Sequence, residues 1–285
     1  MTPSAPPSAT SGHGLVSFVG AGPGAADLLT LRAARAIGDA DIVVWASSLV
    51  HEDVLEHARD DAEVVDSAAL PLEEVEQLYR RAWRHGLRVA RIHSGDPALW
   101  GAVAEQRAVC DRIGIVHETV PGVSAAAAAA AVVDAELTVP EVAQSVVLTR
   151  LEGGKTPMPA GETVRSFAAH GTTMALFLSA ARARRLQREL LAGGYAEDTP
   201  CVVAYRVSWP DEAVVRCPLG DLAETVRTRR WWKHTLVLVG PALADSAVRT
   251  RSHLYHPGHF HGHRRAEPEA RHDLRSTPPS GAASR

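Results

Sequence analysis

Three short segments bear glycine where bare backbone can approach a ligand: GAGPG at 20–24, SGDP at 94–97 and VPGVSA at 120–125. Each lies just past a strand-like run and leads into a helical pattern. Glycine permits a tight turn and leaves no side chain between backbone and ligand. Literally, Gly20, Gly22 and Ala25 satisfy the dinucleotide fingerprint G-x-G-x-x-G/A. Two details oppose that chemistry. Pro23 removes an amide from the loop that should cradle a pyrophosphate. The second apolar run ends in Ala46-Ser47-Ser48, with no acid to hold a ribose.

Two arginines stand out beside these loops. Arg150 closes the run SVVLTR ahead of a glycine-bearing segment, and Arg206 interrupts the apolar run VVAYRVS. An arginine in such a place needs an anionic partner, within the protein or on a ligand. His93, Lys155, Trp231, Trp232 and Lys233 read first as packing or surface residues. No G-x-S-x-G, H-E-x-x-H, P-loop or Cys/His zinc spacing occurs, so no metal site is expected.

The elements that must position these loops alternate. LVSFVG (15–20) reads as a buried strand, and DIVVWA (41–46), LRVARIH (87–93) and VHETV (116–120) read as further strands. Residues 31–39, 72–84 and 99–112 read as helices, the first capped by Thr30. Strands alternating with helices require crossovers and a mostly parallel sheet. In such a sheet the carboxyl ends of the strands line the ligand crevice, and all three glycine loops lie there. After residue 120 the pattern changes. Ser124 caps an alanine-rich helix, and strand runs at 145–150, 172–179, 199–208, 212–218 and 234–240 follow at closer spacing. This half reads as a mixed sheet. The expected organisation is an N-terminal tail at 1–13, an α/β domain at 14–120, a second α/β domain at 121–248 and a His/Arg-rich tail at 249–285. Both tails read as disordered, being short of apolar residues.

Composition narrows the classes further. Thirty Lys plus Arg against thirty-three Asp plus Glu give a net charge of -3. The segment 249–285 carries seven arginines against three acids, so the remainder is at -7. A nucleic-acid partner calls for a basic excess, and none is present. No apolar run suits a membrane-spanning helix, and the first fourteen residues lack the features of a secretory signal. Cys110, Cys201 and Cys217 are odd in number and far apart, which suits a reducing cytoplasm. Residue patterns alone stop at a two-domain α/β protein with a glycine-lined ligand cleft, for which a nicotinamide oxidoreductase and a non-catalytic binding protein are readings to weigh.

From about residue 15 to 245 the chain resembles the tetrapyrrole (precorrin) methylases. VGAGPGAADLLTLRAARAI, SGDPALWG, VPGVSA, MALFLS and HTLVLVG are similar to that family's blocks, in the same order. The nearest resemblance within it is to the branch that methylates carbon 11 of precorrin-4. It rests on WASSLV (45–50), LTVPEVAQSVVLTRLEGGKTPMP (137–159), AAHGTTMALFLS (168–179) and SHLY (252–255). The chain departs from the family at Ala25-Ala26, where Asp-Pro is usual, and at Ala46, where a related group carries a catalytic Asp. The resemblance implies a cleft between two domains that holds S-adenosylmethionine. It implies contacts from Pro23, Gly95, Asp96, Leu99, Ser124 and Ala125 on one side, and from Leu178, Val207 and Thr235 on the other. It further implies a cytoplasmic homodimer acting in cobalamin biosynthesis on an anionic tetrapyrrole, without a metal cofactor. Arg150 and Arg206 are the candidates for the substrate's carboxylates. Whether the acceptor carries cobalt stays open, and no catalytic base is assigned.

Overall fold

The computed structural model describes residues 14–153 and 157–245, with positions 257, 259 and 263. Residues 1–13, Lys155, the SHLY motif and nearly all of 249–285 lie outside the described residues.

The first half contains β1 (Leu15–Gly20), α1 (Leu31–Gly38), β2 (Ile42–Trp45), β3 (Glu63–Asp66), α2 (Leu72–His85), β4 (Arg88–His93), α3 (Val103–Ile113) and β5 (Val116–Val120). Its five strands form one wholly parallel sheet in the order β3-β2-β4-β1-β5. Strand β1 is covered on both faces, which is why it reads as an unbroken apolar run. Phe18 packs with α2 and α3, while Val19 packs with α1. The helices that follow β1 and β4 thus lie on opposite faces. The chain leaves these neighbouring strands in opposite directions, and a crevice opens at their carboxyl ends.

The second half contains α4 (Ala125–Val132), β6 (Val146–Arg150), α5 (Val164–Ala168), β7 (Thr173–Phe177), α6 (Ala183–Ala192), β8 (Pro200–Tyr205), β9 (Ala213–Pro218), α7 (Leu222–Arg229) and β10 (Thr235–Val239). The strands form a mixed sheet in the order β6-β7-β10-β8-β9, with β6 and β7 parallel and the other pairs antiparallel. Helices α5, α6 and α7 cover one face. Helix α4 covers the other, where Ala126, Ala128 and Ala129 lie against Ala175, Val202, Ala204 and Leu238. Short side chains let the helix settle close to the sheet. Ser124 caps it, its Oγ accepting from the Ala126 amide at 3.3 Å, and Thr30 caps α1 by accepting from Ala33 at 3.0 Å.

Three differences from the sequence expectation stand out. β3 is an exposed edge strand whose EVVD has too little apolar character to read as a strand. Helix α3 starts at Val103 instead of 99, because Trp100 and Ala102 are left-handed (φ 55 and 49). β8 stops at Tyr205, so Arg206 lies one residue beyond the strand, with φ 46.

Candidate active site at the meeting of the three glycine loops

The loops after β1, β4 and β5 are joined backbone to backbone. Gly22 and Gly95 exchange both amide–carbonyl hydrogen bonds, at 3.1 and 2.7 Å, and both are left-handed. A Cβ on Gly20 would sit 2.5 Å from the Gly122 nitrogen, and one on Gly122 would sit 2.1 Å from the Gly95 oxygen. Asp96 ties the second loop to the third. Its Oδ1 accepts from the Ala98 amide at 2.7 Å and its Oδ2 from the Gly122 amide at 2.9 Å. These glycines are thus needed first for loop-to-loop contact.

Above the loops lies a cavity of about 520 Å3. Pro23 and Ser94 line it from the first half; Ala125, Phe177, Leu178, Val207 and Thr235 line it from the second. Of the residues expected to hold a cofactor, Pro23, Ala125, Leu178, Val207 and Thr235 are therefore brought together. Leu178 is left-handed (φ 52) and 68% exposed, an apolar side chain offered to the opening. Gly95, Asp96, Leu99 and Ser124 support the wall: Leu99 donates its amide to the Asp96 carbonyl at 3.1 Å, and Ser124 caps α4. Among the described residues that line the cavity there is no carboxylate.

A clasp from the second half holds the first loop in place. The Trp209 indole donates to the Pro23 carbonyl at 3.0 Å, and the Ala25 amide donates to Ser208 Oγ at 3.0 Å. The indole fills the space in which Gly24 lacks a side chain: a Cβ there would lie 2.2 Å from Trp209 Cδ1. A smaller hollow of about 330 Å3 lies on the far side of Trp209, bordered by Asp27, His51 and Asp53. Sequence reasoning missed Trp209. Its only signal is an aromatic residue in the turn SWPD after an apolar strand.

Arg206 borders the cavity, and Arg150 does not. Arg206 donates to Asp211 Oδ2 at 2.6 Å, and its guanidinium lies 5.0 Å from the Trp209 ring centre and 5.4 Å from that of Tyr205. Its Nε is buried without a hydrogen-bond partner. Arg150 lies at the end of β6 and donates to the Pro157 carbonyl at 3.4 Å. His234 also borders the cavity; burial, then Arg206 and Lys233, holds its pKa below the ordinary imidazole value. His93 lies at the end of β4 among core residues and is 7% exposed. Burial, helped by Arg91, pushes its pKa down to about 3, so it stays neutral at physiological pH. Phe18 is its ring neighbour at 6.0 Å, and the cavity lining does not include it.

Two α/β sheets meeting over three glycine loops, with Pro23 in the first, define a class of protein, and residues 15–223 match it. The chain belongs to the Tetrapyrrole (Corrin/Porphyrin) Methylases. It is 42% identical over 250 residues to the precorrin-4 C(11)-methyltransferase of Pseudomonas aeruginosa, covering 85% of this chain and 99% of that protein. Among solved structures it resembles a cobalt precorrin-4 methyltransferase, a cobalamin biosynthetic enzyme, with TM-score 0.78 and 41% identity over 81% of this chain and 96% of the other. It also resembles the uroporphyrin-III C-methyltransferase of Thermus thermophilus complexed with S-adenosylhomocysteine. That match has TM-score 0.65 and 29% identity, covering 79% of this chain and 96% of the other.

Proposed function

We propose that this protein is an S-adenosylmethionine-dependent methyltransferase that adds a methyl group to carbon 11 of precorrin-4 in cobalamin biosynthesis, with cobalt-precorrin-4 as the alternative acceptor. The observation that carries this reading is the carboxylate-free cavity above three glycine loops, in a chain of this family. Its volume of about 520 Å3 falls in the range of roughly 300–1,000 Å3 usual for small-molecule sites.

The residues present fit the cofactor. Pro23, Ala125, Leu178 and Val207 give apolar walls, and the stitched loops bring backbone close without side-chain bulk. When bound, S-adenosylmethionine supplies a methyl carbon already activated by its sulfonium. What remains for the protein is positioning, which contributes up to roughly 7–11 kcal/mol where reacting atoms are held in line. The Trp209 clasp and the Asp96 pin hold the loops for that purpose. Phe177, Leu178 and Val207 exclude water, so that a charge lost during transfer is not favoured by solvation in the ground state. Arg206, Lys233 and an absence of acids suit an acceptor rich in acetate and propionate groups. The proposal includes a cytoplasmic setting, supported by three cysteines that are all free, and a homodimer, supported by the family resemblance alone.

Titration calorimetry tests the cofactor assignment. S-adenosylhomocysteine is expected to bind with a dissociation constant of about a micromolar or tighter, and NAD to give no comparable heat. Equal or tighter binding of NAD would overturn it. Turnover with precorrin-4 and with its cobalt form, side by side, separates the two acceptors.

Asp96→Ala provides a second check. It leaves the Ala98 and Gly122 amides without their acceptor, and hydrogen bonds to a charged group contribute roughly 1.5–3 kcal/mol each. We expect S-adenosylhomocysteine affinity to fall about ten-fold or more, with a smaller loss in Asp96→Asn, which keeps one oxygen acceptor. A lowered melting temperature with undiminished affinity would leave Asp96 as a turn residue only.

A further inference from the structure

We propose that the segment Arg229–His234, RRWWKH, is the lip that selects the methyl acceptor, with Trp232 stacking on its conjugated plane and Lys233 pairing with its carboxylates. This inference rests on the proposed function and extends it to residues that the cofactor site does not require.

The segment joins α7 to β10, passing from the helical face of the second sheet to the cavity mouth. Trp231 anchors it. Its ring stacks on Tyr205 with centroids 5.3 Å apart and planes 8° from parallel, and it packs against the core beneath α7. The Trp231 amide donates to the Val226 carbonyl at 3.2 Å, and Thr235 Oγ1 donates to the Lys233 carbonyl at 2.9 Å. Arg206 grips the far end, its amide donating to the His234 carbonyl at 2.8 Å. Arg230 and His234 are left-handed (φ 58 and 51), so the chain turns sharply on both sides of Trp232 and Lys233.

The consequence is an outward-facing indole on a fixed backbone. Trp232 is 49% exposed, yet it lines the cavity, and Lys233 lines it beside Trp232. The Arg230 guanidinium lies 5.7 Å from the Trp232 ring centre and steadies it from one side. A large aromatic surface held in water at the mouth of a site favours a flat apolar partner. Rigidity matters here, because a fixed ring loses little freedom on binding.

Charge points to the same kind of ligand. Arg227 is paired with Glu224 and Arg206 with Asp211. Arg229, Arg230 and Lys233 have no carboxylate partner among the described residues. Lys233 lines a cavity wall that holds no acid, and Arg230 lies against Trp232 beside it, on a chain whose net charge is negative. A conjugated macrocycle fringed with carboxylates satisfies the ring and the charges together.

The test compares Trp232→Ala and Lys233→Met with the wild type, using uroporphyrin as a stable, flat, polycarboxylate probe. Its affinity is read from the quenching of protein fluorescence and the acceptor KM from methyl transfer, with S-adenosylhomocysteine affinity measured alongside. We expect both variants to weaken uroporphyrin binding and raise KM about five- to ten-fold, with cofactor affinity within about two-fold of wild type. The Lys233→Met effect should shrink as salt rises. Trp232→Phe and Lys233→Arg should recover most of the loss, which mere misfolding would not allow. Variants that bind uroporphyrin and acceptor as the wild type does, in an enzyme that binds S-adenosylhomocysteine, overturn the lip alone. A wild type that does not bind S-adenosylhomocysteine overturns the methyltransferase reading and the lip with it.

Discussion

Gly122→Ala should disable the proposed cofactor site at a cost far beyond the one methyl group it adds. The new Cβ would lie 2.1 Å from the Gly95 oxygen and 2.8 Å from the Gly20 Cα. Both are backbone atoms, so no rotamer change relieves the collision. Overpacking costs about 1–3 kcal/mol where side chains can adjust, and this case belongs at or above the upper end. At about 2–4 °C per kcal/mol for a chain of this size, the melting temperature should fall by roughly 6–12 °C. The loop can escape only by parting from its neighbours, which withdraws the Gly122 amide from Asp96 and moves Ala125 in the cavity wall. S-adenosylhomocysteine affinity should therefore drop by at least about ten-fold in molecules that remain folded. Gly171→Ala is the control. Gly171 is left-handed at φ 61, with nothing within 4 Å of a built Cβ. That change should cost about 1–2 kcal/mol of backbone strain and leave cofactor affinity alone. Wild-type melting and affinity in Gly122→Ala would show that the loops are not stitched as described.

That prediction joins what the sequence displays to what only the fold supplies. A parallel strand buried on both faces shows as an apolar run, so β1 stands out in the chain, β4 less so and the largely exposed edge strand β5 least, and glycines just past their ends mark the crevice. The reason for each glycine does not show. Gly20, Gly95 and Gly122 are brought together by strand order, and a linear pattern does not reveal that β5 returns to the free edge of β1. The Trp209–Pro23 contact spans 186 positions, so Gly24 looks like loop flexibility until the indole is seen in its place. Arg206 was legible as unusual, but the apolar residues before it concealed the end of β8 at Tyr205. Of the two arginines proposed as substrate anchors, only Arg206 borders the cavity, and it already holds Asp211. Lys233, beside two tryptophans whose pattern reads as cover for core or interface, lines the cavity and has no carboxylate partner among the described residues.

The second large effect concerns acid, and its sign follows from His93. The side chain ends β4 among core residues, its Nε2 is buried without a hydrogen-bond partner, and its pKa is pushed down to about 3. In the unfolded chain the same imidazole titrates near its ordinary value of about 6.5. Above that pH neither state binds the proton, and the neutral ring contributes its full stability. Between about 6.5 and 3 the unfolded chain takes up a proton that the native state refuses. Stability must therefore fall with pH, by about 1.4 kcal/mol per unit for this one site. From pH 6.5 to 4.5 the loss is roughly 2–3 kcal/mol, a large share of the 5–15 kcal/mol typical of a folded protein. His234 acts in the same direction, because burial, Arg206 and Lys233 lower its pKa too. His93→Leu isolates the larger contribution: it is close in volume, does not titrate and forfeits no hydrogen bond at Nε2. Urea unfolding of wild type and variant at pH 7 and pH 4.5 provides the measurement. The wild type should lose roughly 2–3 kcal/mol more than the variant between the two. The effect should reach the site, because the His93 carbonyl accepts the Ala21 amide at 2.8 Å at the root of the first glycine loop. Wild-type affinity for S-adenosylhomocysteine should accordingly decline in acid before unfolding is complete, and that of His93→Leu should decline less. Parallel losses of stability in the two proteins would show that His93 is free to take up its proton in the folded state.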